Sequence, residues 1–267
     1  MNVAVALALF WLAAGLYGLA GLLYMGFLIG APPVLARVAR LSLLAAFVAH
    51  LAEIGARGVA GLHPVSSLSE AIGFLAFLMV GSFLFAQLKR PLDAIGAFVS
   101  PSALVLMMVA YVSPDRGEKD TAGLGVLGRV HIGLSIVGVA IFALASGLAI
   151  FYLVQERQLK RHKVGRAVKR GAALETLDSF MYRAVLVGFP IFSIAMVSGA
   201  FWTAQRAEPF RIEYPIAAIA WAAFAAVIIA RHTVGWRGRR AAMLTVFGFA
   251  AALVVLGIYV ARSAGAA

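Results

Sequence analysis

The chain has 267 residues, of which 63% are hydrophobic and 13% charged, and its formal net charge is +12. Soluble domains normally contain about 45–50% apolar and about 25% charged residues. A water-soluble globular fold is therefore excluded, and the composition indicates an integral membrane protein. Cysteine is absent, which excludes disulfides, thiolate metal sites, covalent haem attachment and cysteine nucleophiles.

Apolar stretches separated by polar turns predict eight membrane-spanning helices, since each span requires about 20 residues. The predicted spans are 3–30, 41–59, 67–88, 94–113, 126–154, 181–203, 214–231 and 241–261. We therefore expect an all-α, polytopic helix bundle that forms a single integral membrane domain over residues 1–267. The apolar N-terminus lacks a preceding basic run and is interpreted as a retained first span rather than a signal peptide.

The distribution of charge predicts the orientation of the bundle. With both termini placed outside, the inner side carries sixteen Lys and Arg and four acidic residues, and the outer side carries seven of each. The inner face then holds the whole net charge, as the positive-inside rule expects. Because topology accounts for the charge, no nucleic-acid partner is predicted. The longest inner loop, 155–180, is strongly basic, which favours contact with anionic lipid headgroups.

Histidines in or beside the spans are the main candidates for chemistry, because ionisable side chains are costly in hydrocarbon and usually serve a purpose. His50 lies near the middle of the second span, with Glu53 and Arg57 on the same helical face. That face must point into the bundle. His131 begins the fifth span near the outer side, and His232 ends the seventh span at the inner side.

Spacing alone leaves several roles open for these imidazoles. Two facing imidazoles can ligate a haem iron, and an imidazole beside a carboxylate can form a proton relay. Three imidazoles with a carboxylate can hold zinc or copper, and a histidine can also simply link neighbouring helices by a hydrogen bond. His162 lies in the basic loop and is expected to be solvated. The sequence contains no HExxH, GxSxG or glycine-rich phosphate loop.

Three polar residues near helix starts have structural interpretations. Ser67 and Glu70 have the spacing of a capping box at the start of the third span. Asp178 precedes the sixth predicted span and is interpreted as its N-cap.

Four segments together resemble the cytochrome c assembly protein family of the CcsA/HemX type. They are GLHPVSSLSEA at 61–71, VHIGLSIVGVAIFALASGLAIFYLVQ at 130–155, LDSFMYRAVLVGFPIFSIAMVSGAFW at 177–202 and RHTVGWRGRRAA at 231–242. The resemblance implies a haem-binding protein of the bacterial cytoplasmic (inner) membrane that assists c-type cytochrome assembly. Haem b is the implied cofactor, and membrane lipid, haem and other cytochrome c assembly proteins are the implied partners.

The resemblance also assigns residues. It implies that His131 is the outer haem-iron ligand and that His232 is the histidine used for haem within the membrane. His50 is then a further cofactor-binding candidate in the interior, together with Glu53. No catalytic residue is assigned.

Two departures from the full haem-lyase members bear on activity. Those members carry a tryptophan-rich outer segment between spans six and seven, and a second outer histidine after the last span. The corresponding segment of this chain, 201–215, keeps Trp202 alone, and residues 261–267 contain no histidine. The resemblance is therefore to the shorter HemX-like branch, and haem-lyase activity is not expected.

Two other functions compete with haem handling. The first is a membrane scaffold that regulates a soluble tetrapyrrole-biosynthesis enzyme through the 155–180 loop and binds no haem. The second is a small redox enzyme or proton-translocating subunit that uses His50 and Glu53. A haem-handling protein should be coloured when purified, whereas a scaffold should not.

The predicted orientation is testable with reporter fusions. A reporter that is active only outside the cytoplasm should be active when fused after residue 118 and inactive when fused after residue 165, because the basic residues concentrate on the inner side. A reporter that fluoresces only in the cytoplasm should give the opposite pattern and serves as the control. Inverted activities would contradict the charge-based orientation.

Overall fold

A computed structural model describes residues 3–64, 66–88, 92–113, 125–161, 172–206 and 209–265. Within these ranges the chain forms eight α-helices and no strand. The helices are α1 (Val3–Ile29), α2 (Val34–Val59), α3 (Leu68–Gln87), α4 (Asp93–Val112), α5 (Gly125–Lys160), α6 (Leu174–Gln205), α7 (Glu213–Thr233) and α8 (Arg239–Gly265). All eight are long and apolar enough to cross a membrane. The all-α fold with eight spans is confirmed, while the outside placement of the termini stays a prediction.

Several helices extend beyond the predicted spans. The helix α2 begins at Val34 rather than at residue 41, α5 continues to Lys160 and α6 begins at Leu174. The predicted 155–180 loop is therefore wrong at both ends, and residues 162–171, including His162, lie outside the described residues. Hydropathy marks only where a helix crosses hydrocarbon. Beyond that depth, polar contacts such as the Lys160–Glu156 ion pair of 2.7 Å continue the helix.

The helices pack as two groups of four. In the first group α1 packs against α2 and α4, and α4 packs against α3; in the second, α5 packs against α6 and α8, and α7 packs against α8. The two groups meet mainly where α3 contacts α5, and one hydrophobic core runs through both. The helix α6 contacts both α5 and α7, so its two ends can support side chains from two different neighbours.

Small residues allow the helices of the first group to approach closely. Gly96 of α4 faces the Tyr24 ring of α1, and a Cβ at this position would lie 2.6 Å from the Tyr24 Cδ2 atom. Tyr24 is fully buried and packs edge-on against Phe83, with 6.4 Å between the ring centroids. The ring therefore has little freedom to move away. Close approach at small residues is a main source of helix–helix stability in membranes.

A methyl group at Gly96 should therefore destabilise the bundle. We expect Gly96→Ala to lower the free energy of unfolding by about 1–3 kcal/mol, the usual cost of overpacking a core. Thermal unfolding in one detergent measures the effect. Gly15→Ala on α1 is the control, because a Cβ there meets no atom within 4 Å. Equal melting temperatures for the two variants would contradict this account of the α1–α4 contact.

Candidate functional site

His131, near the start of α5, is held by a backbone carbonyl of α6. Its Nδ1 atom lies 2.7 Å from the carbonyl oxygen of Ala195. A carbonyl can only accept a hydrogen bond, so Nδ1 carries the proton in the neutral ring and Nε2 keeps its lone pair. A metal-bound histidine normally has its second ring nitrogen fixed in this way. The geometry therefore prepares His131 to bind a metal through Nε2.

Gly199 provides the space for the His131 ring. A Cβ at Gly199 would lie 2.6 Å from both Nδ1 and Cε1 of His131. Ala195 and Gly199 are four residues apart, so they lie on one face of α6. A larger side chain at Gly199 would push the imidazole away from the Ala195 carbonyl. The small residues of the SGA segment at 198–200 thus have a specific role in positioning His131.

Trp202 and Arg206 extend this outer site, which we define as His131, Ala195, Gly199, Trp202 and Arg206. The Trp202 ring is nearly parallel to the His131 ring, with an interplanar angle of 16° and 6.4 Å between centroids. The Arg206 guanidinium lies 4.9 Å from the centre of the Trp202 ring. The Trp202 Nε1 atom is buried and has no hydrogen-bond acceptor among the described residues. A buried donor without a partner is costly, so the outer site offers an unused N–H beside an imidazole and a cation.

His232 lies near the C-terminus of α7 and contacts the opposite end of α6 from the one that His131 contacts. It is exposed, and its Nε2 atom is 2.7 Å from the Tyr182 hydroxyl of α6. The Arg231 guanidinium stacks 4.2 Å from the centre of the Tyr182 ring and donates a hydrogen bond of 2.9 Å to the Asp178 carboxylate. The backbone N–H of Gly238 donates to the other Asp178 oxygen at 2.8 Å. We call these five residues the inner site.

Asp178 connects three elements rather than capping one. The prediction that it is an N-cap is wrong, because α6 already begins at Leu174 and Asp178 lies within it. Its buried carboxylate holds the end of α7 through Arg231 and the turn before α8 through Gly238. That turn needs glycine, since Gly235 and Gly238 have φ angles of +67° and +65°. The LD, RH and GW-x-G sequence elements thus meet at one carboxylate.

The outer and inner sites lie far apart. His131 contacts Ala195 and His232 contacts Tyr182, and these two partners are separated along α6 by about 20 Å at 1.5 Å per residue. Metal–nitrogen bonds to imidazole are about 2 Å long. The structure therefore does not bring His131 and His232 together, and one iron atom cannot bind both.

The helical face of α2 that carries His50, Glu53 and Arg57 points into the bundle, as predicted from the spacing of these residues. His50 is 1% exposed, and its Nδ1 atom lies 3.1 Å from the Tyr17 hydroxyl of α1. Its Nε2 atom is 4.0 Å from the Glu53 carboxylate. Arg57 pairs with Glu53 and also with Glu70 of α3, at 2.6 Å from the latter. This cluster ties α1, α2 and α3 together through buried polar groups.

The space beside this cluster is small. A cavity of about 20 Å³ is lined by His50, Glu53 and Arg57 among others, and a single water needs about 10–15 Å³. These contacts leave no room for a large planar ligand at His50, so its assignment as a cofactor-binding residue gains no support from the geometry and stays a prediction.

The capping box predicted at the start of α3 is confirmed for Ser67. Its hydroxyl accepts a hydrogen bond of 3.2 Å from the Glu70 N–H, as expected. The Glu70 carboxylate also pairs with Arg57.

In the part of the chain that the structure describes, no group of three or more His, Cys, Asp or Glu is arranged to hold a metal ion. The zinc or copper alternative therefore has no support there.

These features define a multi-pass membrane protein that presents a positioned histidine near each end of one transmembrane helix. A family profile described as "Cytochrome C assembly protein" matches residues 65–266, which is most of the chain. The chain therefore belongs to the cytochrome c assembly protein family. The matched region includes both sites, and the resemblance inferred from the four segments is confirmed.

Individual relatives agree with the family match. The cytochrome c biogenesis protein CcsA of Guillardia theta is 29% identical over 220 residues, which cover 73% of each chain. The CcsA protein of Synechococcus elongatus is 28% identical over 248 residues, covering 74% of this chain and 76% of the relative. That of Heterosigma akashiwo is 27% identical over 226 residues, covering 70% of each chain. No solved structure matches, and the HemX-like branch stays a prediction.

The central place of Asp178 in the inner site predicts a large effect of its removal. Asp178→Ala leaves Arg231 without its carboxylate and the Gly238 N–H without its acceptor. We expect a loss of about 3–5 kcal/mol in the free energy of unfolding, as for other broken buried ion pairs. The measurement is thermal or denaturant unfolding in detergent.

Glu156→Ala is the matched control, because the Lys160–Glu156 pair is exposed on the lysine side and should contribute less than about 1 kcal/mol. A loss for Asp178→Ala no larger than that for Glu156→Ala would show that the Asp178 contacts do not hold α6, α7 and the following turn together.

Proposed function

We propose that this protein handles haem in the bacterial cytoplasmic membrane and assists the biogenesis of c-type cytochromes. The observation that carries the proposal is the fixed tautomer of His131, which leaves Nε2 available as a metal ligand beside an indole N–H that has no acceptor among the described residues. Membership of the cytochrome c assembly family and the names of its CcsA relatives support the direction of the proposal. In this function haem is the cargo of the protein rather than a resident cofactor.

The residues of the outer site fit this cargo. Neutral imidazole is a haem-iron ligand, and the His131 Nε2 atom would fill that role. The unused Trp202 N–H and the Arg206 guanidinium are suited to the carboxylate groups of the cargo. Because the chain has no cysteine, it cannot form thioether bonds to haem, and the proposed form is non-covalent haem b.

Haem binding at the inner site would require a hydrogen bond of the histidine to break, which binding at the outer site would not. The His232 Nε2 atom is already hydrogen-bonded to the Tyr182 hydroxyl, so that bond must break before Nε2 can ligate iron. Arg231 is already neutralised by Asp178 and contributes no free charge. We propose that His232 acts as a transient station near the cytoplasmic side and His131 as the ligand at the outer side.

Attachment of haem is assigned to partner proteins. The tryptophan-rich segment of the full haem lyases is reduced to Trp202 in this chain, so we propose delivery to other cytochrome c assembly proteins rather than covalent attachment. No observation favours the competing scaffold function, and residues 162–171 of its proposed 155–180 loop lie outside the described ranges.

The test is a reduced-minus-oxidised absorption spectrum of the detergent-purified protein and its histidine variants. The wild type should show the Soret and α bands of a b-type haem. His131→Ala and His232→Ala should each lower the haem content markedly, because each removes an iron ligand. His162→Ala should leave the haem content unchanged, since His162 is expected to be solvated.

Gly199→Ala sharpens this test without removing a ligand. Its Cβ should displace the His131 ring and lower the haem content toward that of His131→Ala. Gly133→Ala, near the same end of α5 and with no atom within 4 Å of the added Cβ, should behave as wild type. A colourless wild type that takes up no added haem would contradict the proposal. Equal haem content in all variants would overturn the ligand assignment.

A further inference from the structure

A large groove in the inner half of the bundle belongs to neither histidine site. It has a volume of about 900 Å³, opens between α3 and α6, and has α5 as its floor. This is comparable to a small-molecule pocket, which typically measures about 300–1,000 Å³. Its apolar part includes Phe85 of α3, Leu144 and Leu148 of α5, and Val187 of α6.

The polar lining of the groove comes largely from one face of α6. Glu175, Ser179 and Arg183 all line it, and their spacing of four residues places them in one row along the helix. The helix has 32 residues and is thus about 48 Å long, whereas the hydrocarbon layer is about 30 Å thick. We take its first turns, which carry Glu175, Asp178 and Arg183, to lie at or near headgroup depth, because charged side chains are costly in hydrocarbon.

Arg183 has no ion-pair partner among the described residues. It is exposed, its guanidinium lies 5.9 Å from the centre of the Phe180 ring, and no carboxylate of the described residues lies within 4.0 Å of it. A charged side chain near hydrocarbon is costly unless it is paired or reaches the headgroups. The bilayer itself supplies phosphate groups at this depth.

We propose that this groove is a binding site for a phospholipid with an amine headgroup, phosphatidylethanolamine, from the inner leaflet. The acyl chains would lie along Leu144 and Leu148, the phosphate would accept hydrogen bonds from Arg183, and the ammonium group would approach Glu175. Both ends of a zwitterionic headgroup then meet an opposite charge, whereas an anionic headgroup would face the Glu175 carboxylate.

The composition of the groove favours lipid over haem. Haem also combines an apolar body with carboxylates, but none of the residues that line the groove is His, Met, Tyr or Cys, the usual haem-iron ligands. The proposal is therefore independent of the haem-handling function, and either can fail without the other.

Native mass spectrometry of the full-length, delipidated protein tests the proposal. The protein is titrated with phosphatidylethanolamine and with phosphatidylglycerol of the same acyl chains. Wild type should bind phosphatidylethanolamine more tightly. Arg183→Gln should weaken the binding of both lipids about tenfold, as expected for the loss of a charge-assisted hydrogen bond. Glu175→Gln should abolish the preference between the two headgroups.

Matched controls distinguish lipid binding in the groove from non-specific electrostatic attraction between lipid headgroups and charged residues elsewhere. Arg157→Gln and Glu156→Gln change exposed or partly exposed charges at the end of α5 outside the groove lining and should bind as wild type. Arg183→Lys keeps the cation and should retain most of the phosphatidylethanolamine binding, even if Arg183→Gln folds poorly. Equal lipid binding by wild type and Arg183→Gln, a wild-type preference for phosphatidylglycerol, or displacement of lipid by haem in the groove would overturn the proposal.

Discussion

The inability of hydrocarbon to solvate polar groups governs this structure. Backbone groups must be paired within each segment, which leaves helices as the spanning elements of this chain. The same cost applies to side chains, and the ionisable cluster of α2 is paired accordingly: His50 contacts Tyr17, and Arg57 lies between Glu53 and Glu70. Side chains that must exchange ligands are therefore better placed near the ends of spans, where His131 and His232 lie.

This constraint explains which parts of the fold were predictable from sequence. A span is recognised from a sum over about 20 residues, so all eight spans were found. Helix ends depend on a few local contacts. The chain continues as helix through Lys160 and from Leu174, where hydropathy indicates a loop. Asp178 was misassigned for the same reason, because its partners Arg231 and Gly238 are distant in sequence.

The histidines of the two candidate sites were predictable from the sequence, whereas the residues that hold them in place were not. His131 and His232 were identified by their positions at span ends and within the resembling segments. Ala195, Gly199 and Tyr182 were missed as supports, because the contacts depend on how α6 is rotated against α5 and α7, and periodicity leaves that rotation undetermined. A usable signal did exist: the LD…YR and RH…GW-x-G elements contain the inner-site residues, and SGA-x-W contains two of the outer-site supports, Gly199 and Trp202.

The two sites share α6 as a common support, yet they hold their histidines differently. The His131 Nδ1 atom is fixed by a carbonyl and its Nε2 atom is available, whereas the His232 Nε2 atom is engaged by Tyr182. In the proposed function, haem must leave one histidine before the other binds it, because the partners are about 20 Å apart along the helix. Ligation at His232 also costs a hydrogen bond, about 1 kcal/mol. Since a difference of about 1.4 kcal/mol changes an equilibrium tenfold, this asymmetry alone would, in the proposed function, favour retention of haem at the outer site several-fold.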